Sequence, residues 1–138
     1  MSNIIPLPDD WQQLVTAARE VRDRAHAPYS KYHVGAALRM KDGQIHTGCN
    51  VENASYGLTI CAERVAMCSA VAAGHKDPEA ICISLTGQPV PCGSCRQFLY
   101  EFNPELIILM DDYDSDAPPE CIQLKDLLPR AFHLNSSG

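Results

Sequence analysis

Two short cysteine groups constrain this chain more than any other feature. Cys61-Ala62-Glu63 and Pro91-Cys92-Gly93-Ser94-Cys95 together supply three thiolates and one neighbouring carboxylate. A structural zinc site closes its shell with four protein ligands, whereas a catalytic one commonly uses three and leaves the fourth position to water. The chain is one ligand short of a closed site, and Glu63, two residues from a ligand, is placed to handle that water's protons. A redox Cys-x-x-Cys would leave Cys61 and Glu63 unexplained. If Cys61, Cys92 and Cys95 share one ion, two segments distant in sequence must begin side by side, which excludes most arrangements of the chain.

The 138 residues suffice for one compact domain, 1–138, burying about two-thirds of its unfolded surface. The formal net charge of −6 argues against a surface that follows a phosphate backbone. A small neutral or weakly charged substrate is expected, with neither nucleic acid nor membrane as partner. The first ten residues show no basic segment and no sustained apolar run, and no later stretch is long enough to span a bilayer. Seven cysteines without an export signal point to reduced thiols in a cytoplasm rather than to a disulfide framework.

Helical patterns alternate with short apolar runs, the signature of an α/β fold. Asp9 or Asp10 can cap a first helix carrying Trp11, Leu14, Val15, Ala18 and Val21 at helical spacing, and Pro28 ends that pattern. Residues 34–40 and 44–52 read as strands of a hairpin, joined by Lys41-Asp42-Gly43-Gln44. A second helix covers 61–73, with Gly74 in C-cap position. Residues 80–85 form an apolar strand, 92–102 a third helix, and 106–110 a strand ending at Asp111 and Asp112. Strands separated by helices run parallel with right-handed crossovers. Residues 113–120 read as a solvated loop and 124–128 as a short final helix stopped by Pro129.

Both ligand groups fall at helix starts on this reading. Cys92 and Cys95 share one face a turn apart. Cys61 and Glu63 would diverge on a regular helix, so Cys61 is expected at the cap and Glu63 in the first turn. Helix N-termini carry partial positive charge, which favours the thiolate. Cys49, Cys68, Cys82 and Cys121 read as core cysteines, and the five histidines show no ligand spacing.

On these residues the chain resembles the cytidine deaminases of the small, three-cysteine class. The resemblance runs through Pro28-Tyr29-Ser30, Val34-Gly35-Ala36-Ala37-Leu38, Gly48-Cys49-Asn50-Val51-Glu52-Asn53-Ala54-Ser55-Tyr56, Cys61-Ala62-Glu63-Arg64, Pro91-Cys92-Gly93-Ser94-Cys95-Arg96-Gln97 and Leu127-Leu128-Pro129, nearly the whole sequence. It implies a three-layer α/β/α fold with a mixed five-stranded sheet, one Zn²⁺ per chain, and hydrolysis of cytidine and 2′-deoxycytidine to the uridines with release of ammonia. It also implies a homotetramer whose sites are completed across subunits. Water activated by zinc would add to C4 of the pyrimidine while Glu63 moves its protons, first to N3 and then to the departing ammonia.

The resemblance assigns further roles. Asn50 and Glu52, two apart on a strand and hence on one face, would hold the ribose 3′-hydroxyl, a group that both donates and accepts. The Ala62 N–H would meet the base O2. Tyr32 stands where the family commonly has Phe beside the pyrimidine, followed here by His33. Val90 stands where Ser or Thr is frequent, the implied contact being its carbonyl. Phe132, in Leu127-Leu128-Pro129-Arg130-Ala131-Phe132, matches the aromatic that closes a neighbouring subunit's site. Three thiolates leave the zinc site with a formal charge of −1, which Arg64, donating to the ligand sulfurs, would offset.

Plainer readings stand beside these. Glu63 alone fits a first-turn acid favoured by the helix dipole, Asn50 a polar strand end, Glu52 a solvated charge, and Tyr29 and Tyr56 packing or interface aromatics. At the level of function, the alternatives are a deaminase of another cytosine-bearing nucleoside such as a blasticidin-type antibiotic, a deaminase of cytosines in a polynucleotide, and a zinc-stabilised module without catalysis.

Overall fold

A computed structural model of the chain describes residues 3–87, 90–132 and 134. Helix α1 spans Trp11–Arg22, strand β1 Gly35–Met40, β2 Ile45–Cys49, α2 Ala62–Ala72, β3 Pro78–Leu85, α3 Gly93–Tyr100, β4 Ile107–Asp112, β5 Glu120–Gln123 and α4 Leu124–Leu127, with a single 3₁₀ turn at Tyr56–Leu58. The five strands form one mixed sheet in the order β2-β1-β3-β4-β5. β1 runs antiparallel to both β2 and β3, β3 and β4 are parallel, and β5 returns antiparallel to β4.

Side-chain alternation along the strands makes two cores. Ala37, Ala80, Cys82, Leu109 and Cys121 face Leu14 and Ala18 of α1. Ala36, Leu38, Met40, Ile81, Ile83 and Ile108 point the other way, onto Ala62, Ala66, Met67 and Ala70 of α2, Leu99 of α3 and Leu124 of α4. The result is the three-layer α/β/α arrangement expected from the resemblance.

Two glycines let the helices approach closely from opposite faces. A Cβ on Gly35 would lie 2.8 Å from the Arg22 nitrogen and closer still to the Ala18 carbonyl of α1; one on Gly48 would lie 2.6 Å from the Ala62 carbonyl oxygen and nearer to the Ala66 nitrogen of α2. Gly48 therefore sets how far the start of α2, which carries Ala62 and Glu63, stands from the sheet. α2 itself ends in a left-handed residue, Gly74 at φ +92°, with the His75 N–H on the Ala70 carbonyl at 2.9 Å and the Gly74 N–H on the Val71 carbonyl at 3.0 Å.

Several expectations are corrected. The second strand ends at Cys49 rather than at 52; beyond it Val51 makes isolated bridges to His26 and Ile60. The sequence pattern gives a loop to Glu120 and assigns nothing to 121–123, whereas Glu120–Gln123 forms β5: four residues are too few for alternation to show. Asp10 is the N-cap of α1 but makes no side-chain cap bond, because its carboxylate is drawn to Arg39 on β1. Helix α1 stops at Arg22, well before Pro28. The crossover through α2 does not join neighbouring strands, since β1 lies between β2 and β3. Of the four cysteines read as core, Cys82 and Cys121 are buried and Cys49 is half-buried, but Cys68 lies exposed on α2.

At the carboxyl end of β4, Asp111 is 1 % exposed and receives two hydrogen bonds from Arg19, at 2.8 and 2.9 Å, and one from the Ser84 hydroxyl at 2.7 Å. This pair of a half-buried arginine and a buried aspartate binds α1 to the end of β4, and a buried carboxylate stripped of its cation is among the costlier losses a fold can suffer. No helix among the described residues is long and apolar enough to cross a membrane.

Candidate metal centre and active site

The two cysteine groups meet where α2 and α3 begin. Cys61 and Cys92 are the N-cap residues of these helices and Cys95 lies in the first turn of α3. Neither cap sulfur bonds its own helix's backbone, so both are free to turn toward a shared centre. Cys61 and Cys92 Sγ stand 3.9 Å apart, Cys92 and Cys95 Sγ 3.4 Å apart, and all three lie within 4.8 Å of one another. Tetrahedral Zn–S bonds of about 2.3 Å place their sulfurs about 3.8 Å apart, so the spacings of the trio suit one shared zinc ion. Among the described residues it is the one such group of histidine, cysteine and acidic side chains.

Three sulfurs this close cannot all be anionic without a cation. The Cys61 thiol is lowered to about 5 by its hydrogen bond with Cys95, with Arg64 and Cys92 adding to the effect. Cys95 is pushed far upward by the same bond to Cys61 and by burial. Arg64 reaches back over the cap, its Nη2 donating to Cys61 Sγ at 3.8 Å and to the Thr59 carbonyl at 3.4 Å. A guanidinium on a ligand sulfur is what a site with excess negative charge requires.

Glu63 sits in the first turn of α2, 5 % exposed. Burial raises its carboxyl above the ordinary carboxylate range, and the Cys61 charge adds to the rise. A rise in this direction suits the carboxyl to hold and release a proton in acid–base work. The Ala62 N–H, at the first helical position, has no intrahelical acceptor.

Asn50 and Glu52 both reach the segment that precedes β1. Asn50, nearly buried, accepts from the Val34 N–H at 2.9 Å and donates to the Tyr32 carbonyl at 2.8 Å. Glu52 accepts from the Tyr29 and Ser30 N–H groups at 3.0 and 3.1 Å and from the Ser30 hydroxyl, bonds that hold its carboxyl below the usual range. Each keeps capacity to spare: Asn50 one N–H and one lone pair, and Glu52 about one of the roughly four acceptor sites of a carboxylate. A hollow of about 360 Å³ opens beside Glu52, lined by Tyr29, Ser30, Asn53, Tyr56 and Thr59.

The remaining expected residues are less enclosed. Tyr32 is exposed, its hydroxyl donating to the Thr86 carbonyl at 2.6 Å. Val90 is exposed. Phe132 meets α3 through its carbonyl, which accepts from Gln97 at 2.7 Å, and the residue is 68 % exposed. Within this one chain it closes nothing.

Two residues of the wall were quoted in the sequence motifs without a role. Ser30 bridges Glu52 and the Tyr32 N–H, and Arg96 bonds the Pro91 carbonyl at 2.8 Å and the Leu127 carbonyl at 2.9 Å, fixing the entry to α3 against α4. Each bonds at least one backbone group, which no side-chain pattern announces.

Comparison with known proteins agrees with this geometry. Residues 8–110 match the family described as the cytidine and deoxycytidylate deaminase zinc-binding region. The chain is 44% identical over 126 residues to the cytidine deaminase of Halalkalibacterium halodurans, covering 89% of this chain and 94% of the relative. It is 41% identical over 132 residues to that of Mycobacterium tuberculosis, covering 94% and 95%. The crystal structure of cytidine deaminase from Burkholderia pseudomallei superposes with a TM-score of 0.83 at 44% identity, covering 88% of this chain and 98% of that one. A zinc-spaced cysteine trio at two helix starts, a buried glutamate in the first turn of one of them, and relatives matched along almost their full lengths place this chain in the cytidine deaminase family of zinc-dependent hydrolytic enzymes.

Proposed function

We propose that the chain converts cytidine and 2′-deoxycytidine to the corresponding uridines, with Glu63 as the proton carrier and Cys61, Cys92 and Cys95 as the zinc ligands. The observation that carries this reading is the burial of Glu63 beside three sulfurs at zinc spacing. Zinc, when bound, supplies a polarised water whose pKa falls toward about 7. Glu63 accepts a proton from that water and delivers it to N3 of the pyrimidine as oxygen adds to C4. It then takes the proton of the new C4 hydroxyl and passes it to the amino group, so that the C4–N bond breaks, ammonia leaves and the 4-oxo base remains. One cytidine and one water give one uridine and one ammonia, and Glu63 ends as it began.

Specificity for a nucleoside over free cytosine falls to Asn50 and Glu52. Their spare donor and acceptor suit a sugar hydroxyl, while the Ala62 N–H at the positive end of α2 suits the base O2. Tyr32 offers its ring to the pyrimidine. The acidic balance of the chain gives no support to a polynucleotide substrate, and relatives matched over nine-tenths of the chain are cytidine deaminases, which disfavours an antibiotic substrate. A panel of cytidine, 2′-deoxycytidine and cytosine, followed by ultraviolet absorbance, is expected to show both nucleosides turned over and cytosine slower by at least about a hundredfold in kcat/KM, the loss of the bonds to Asn50 and Glu52. Equal turnover of cytosine would remove Asn50 and Glu52 from substrate binding.

Arg64 tunes the centre by drawing charge from Cys61. Arg64→Gln is expected to retain fold and zinc but to lower kcat by roughly tenfold to a hundredfold, the usual cost of losing a partner to a metal ligand. An unchanged kcat and pH–rate profile would contradict this role.

The sites are completed by a second copy of the chain. Tyr29 and Tyr56, whose rings meet edge to face in the hollow beside Glu52, are exposed, as are Val51, Leu58, Ile60 and Phe132, apolar surface that a lone subunit leaves in water. A homotetramer covers it and brings Phe132 to a neighbouring site. Light scattering of the zinc form is expected to give four chains, and a monomer would overturn the assembly.

A further inference from the structure

The hydroxyl of Tyr32 makes a bond that an aromatic ring alone could not. It donates to the Thr86 carbonyl at 2.6 Å, joining residues 54 apart in sequence. Tyr32 is itself anchored at both backbone groups: its N–H donates to Ser30 Oγ at 3.0 Å and its carbonyl accepts from Asn50 Nδ2 at 2.8 Å. Ser30 in turn donates to Glu52. A continuous set of bonds therefore runs from Glu52 through Ser30 to Tyr32 and on to Thr86, with Asn50 as a second anchor.

Thr86 is the first residue past β3. The next, Gly87, adopts φ +102° and donates its N–H to Asp112 Oδ1 at 3.3 Å, so the exit of β3 is pinned from β4 on one side and by Tyr32 on the other. Beyond this exit the chain returns at Val90 and Pro91 to reach the ligand Cys92. The register Gly35↔Ser84 puts the start of β1, just after Tyr32, opposite the end of β3. Tyr32 thus spans the two segments that border the site at this end of the sheet.

We propose that Tyr32 is a positioning residue whose hydroxyl fixes the exit of β3 relative to the Asn50–Glu52 wall, and so sets the separation between the sugar-binding and base-binding sides of the site. The inference rests on the nucleoside deaminase reading given above. Both partners are exposed, so loss of the bond leaves Thr86 to water and costs the fold little. What is lost is order: substrate then binds only the fraction of molecules in which the two segments are correctly spaced, and apparent affinity falls by that fraction.

The test is Tyr32→Phe in the zinc-loaded protein, which keeps the ring and removes only the hydroxyl. One neutral hydrogen bond corresponds to roughly threefold to tenfold in an equilibrium. Amide exchange in peptides covering residues 84–87 is expected to accelerate by that factor, KM for cytidine to rise by a similar one, and kcat to stay within about twofold. Tyr32→Leu, which also loses the ring, is expected to raise KM further. Unchanged exchange in Tyr32→Phe would overturn the tether, and faster exchange with an unchanged KM would overturn its role in positioning substrate. If the wild type failed to turn over cytidine, the functional reading would fall, while the exchange comparison would still decide whether Tyr32 orders the exit of β3.

Discussion

Charge concentrated at one point governs this molecule. Two thiolates about 4 Å apart repel by roughly 4 kcal/mol at the effective dielectric of a partly buried site, and here three sulfurs lie within 4.8 Å of one another. The chain answers with the positive ends of two helices and with Arg64 on Cys61, and the zinc ion completes the balance. The same surroundings make Glu63 useful: burial beside negative sulfur lifts its carboxyl toward the range in which it can both take and give a proton.

The sheet order explains how two helix starts come together. β1 is antiparallel to both β2 and β3, so β2 and β3 run in the same direction and their carboxyl ends lie at one edge of the molecule. α2 follows β2 and α3 follows β3, both on the same face. Helices leaving same-facing strand ends necessarily begin at the same end of the sheet, the position where α/β sheets place their ligands. Gly48 contributes by admitting the backbone of α2 close to the sheet. The hairpin is thus part of the active-site machinery: without the reversal through β1, α2 would begin at the opposite end.

Much of this was legible because spacing carried it. Cys61 at a cap with Glu63 in the first turn follows from the two-residue offset, and the strands around Ala36 and Ile81 follow from their short apolar runs, though which of those residues faces which layer does not. What escaped had weak local signals or depended on tertiary contacts. β5 is a four-residue edge strand whose identity comes from pairing with β4. Asp10 matches a cap by residue type, but Arg39, distant in sequence, captures its carboxylate. Cys68 follows the apolar composition of α2, yet its position on the helix faces solvent. Asn50 and Glu52 were legible as a pair, but their hold on backbone atoms of residues 29–34 was not, because an acceptor on the main chain leaves no trace in side-chain identity.

The most direct test of the site is cytidine turnover by wild type and Glu63→Gln, with bound zinc quantified in both. Glutamine keeps the volume and most of the burial but cannot relay a proton, so kcat is expected to fall by at least about a thousandfold while zinc remains near one per chain. Turnover within tenfold of wild type, with zinc retained, would contradict the assignment of Glu63 as the proton carrier and with it the proposed mechanism.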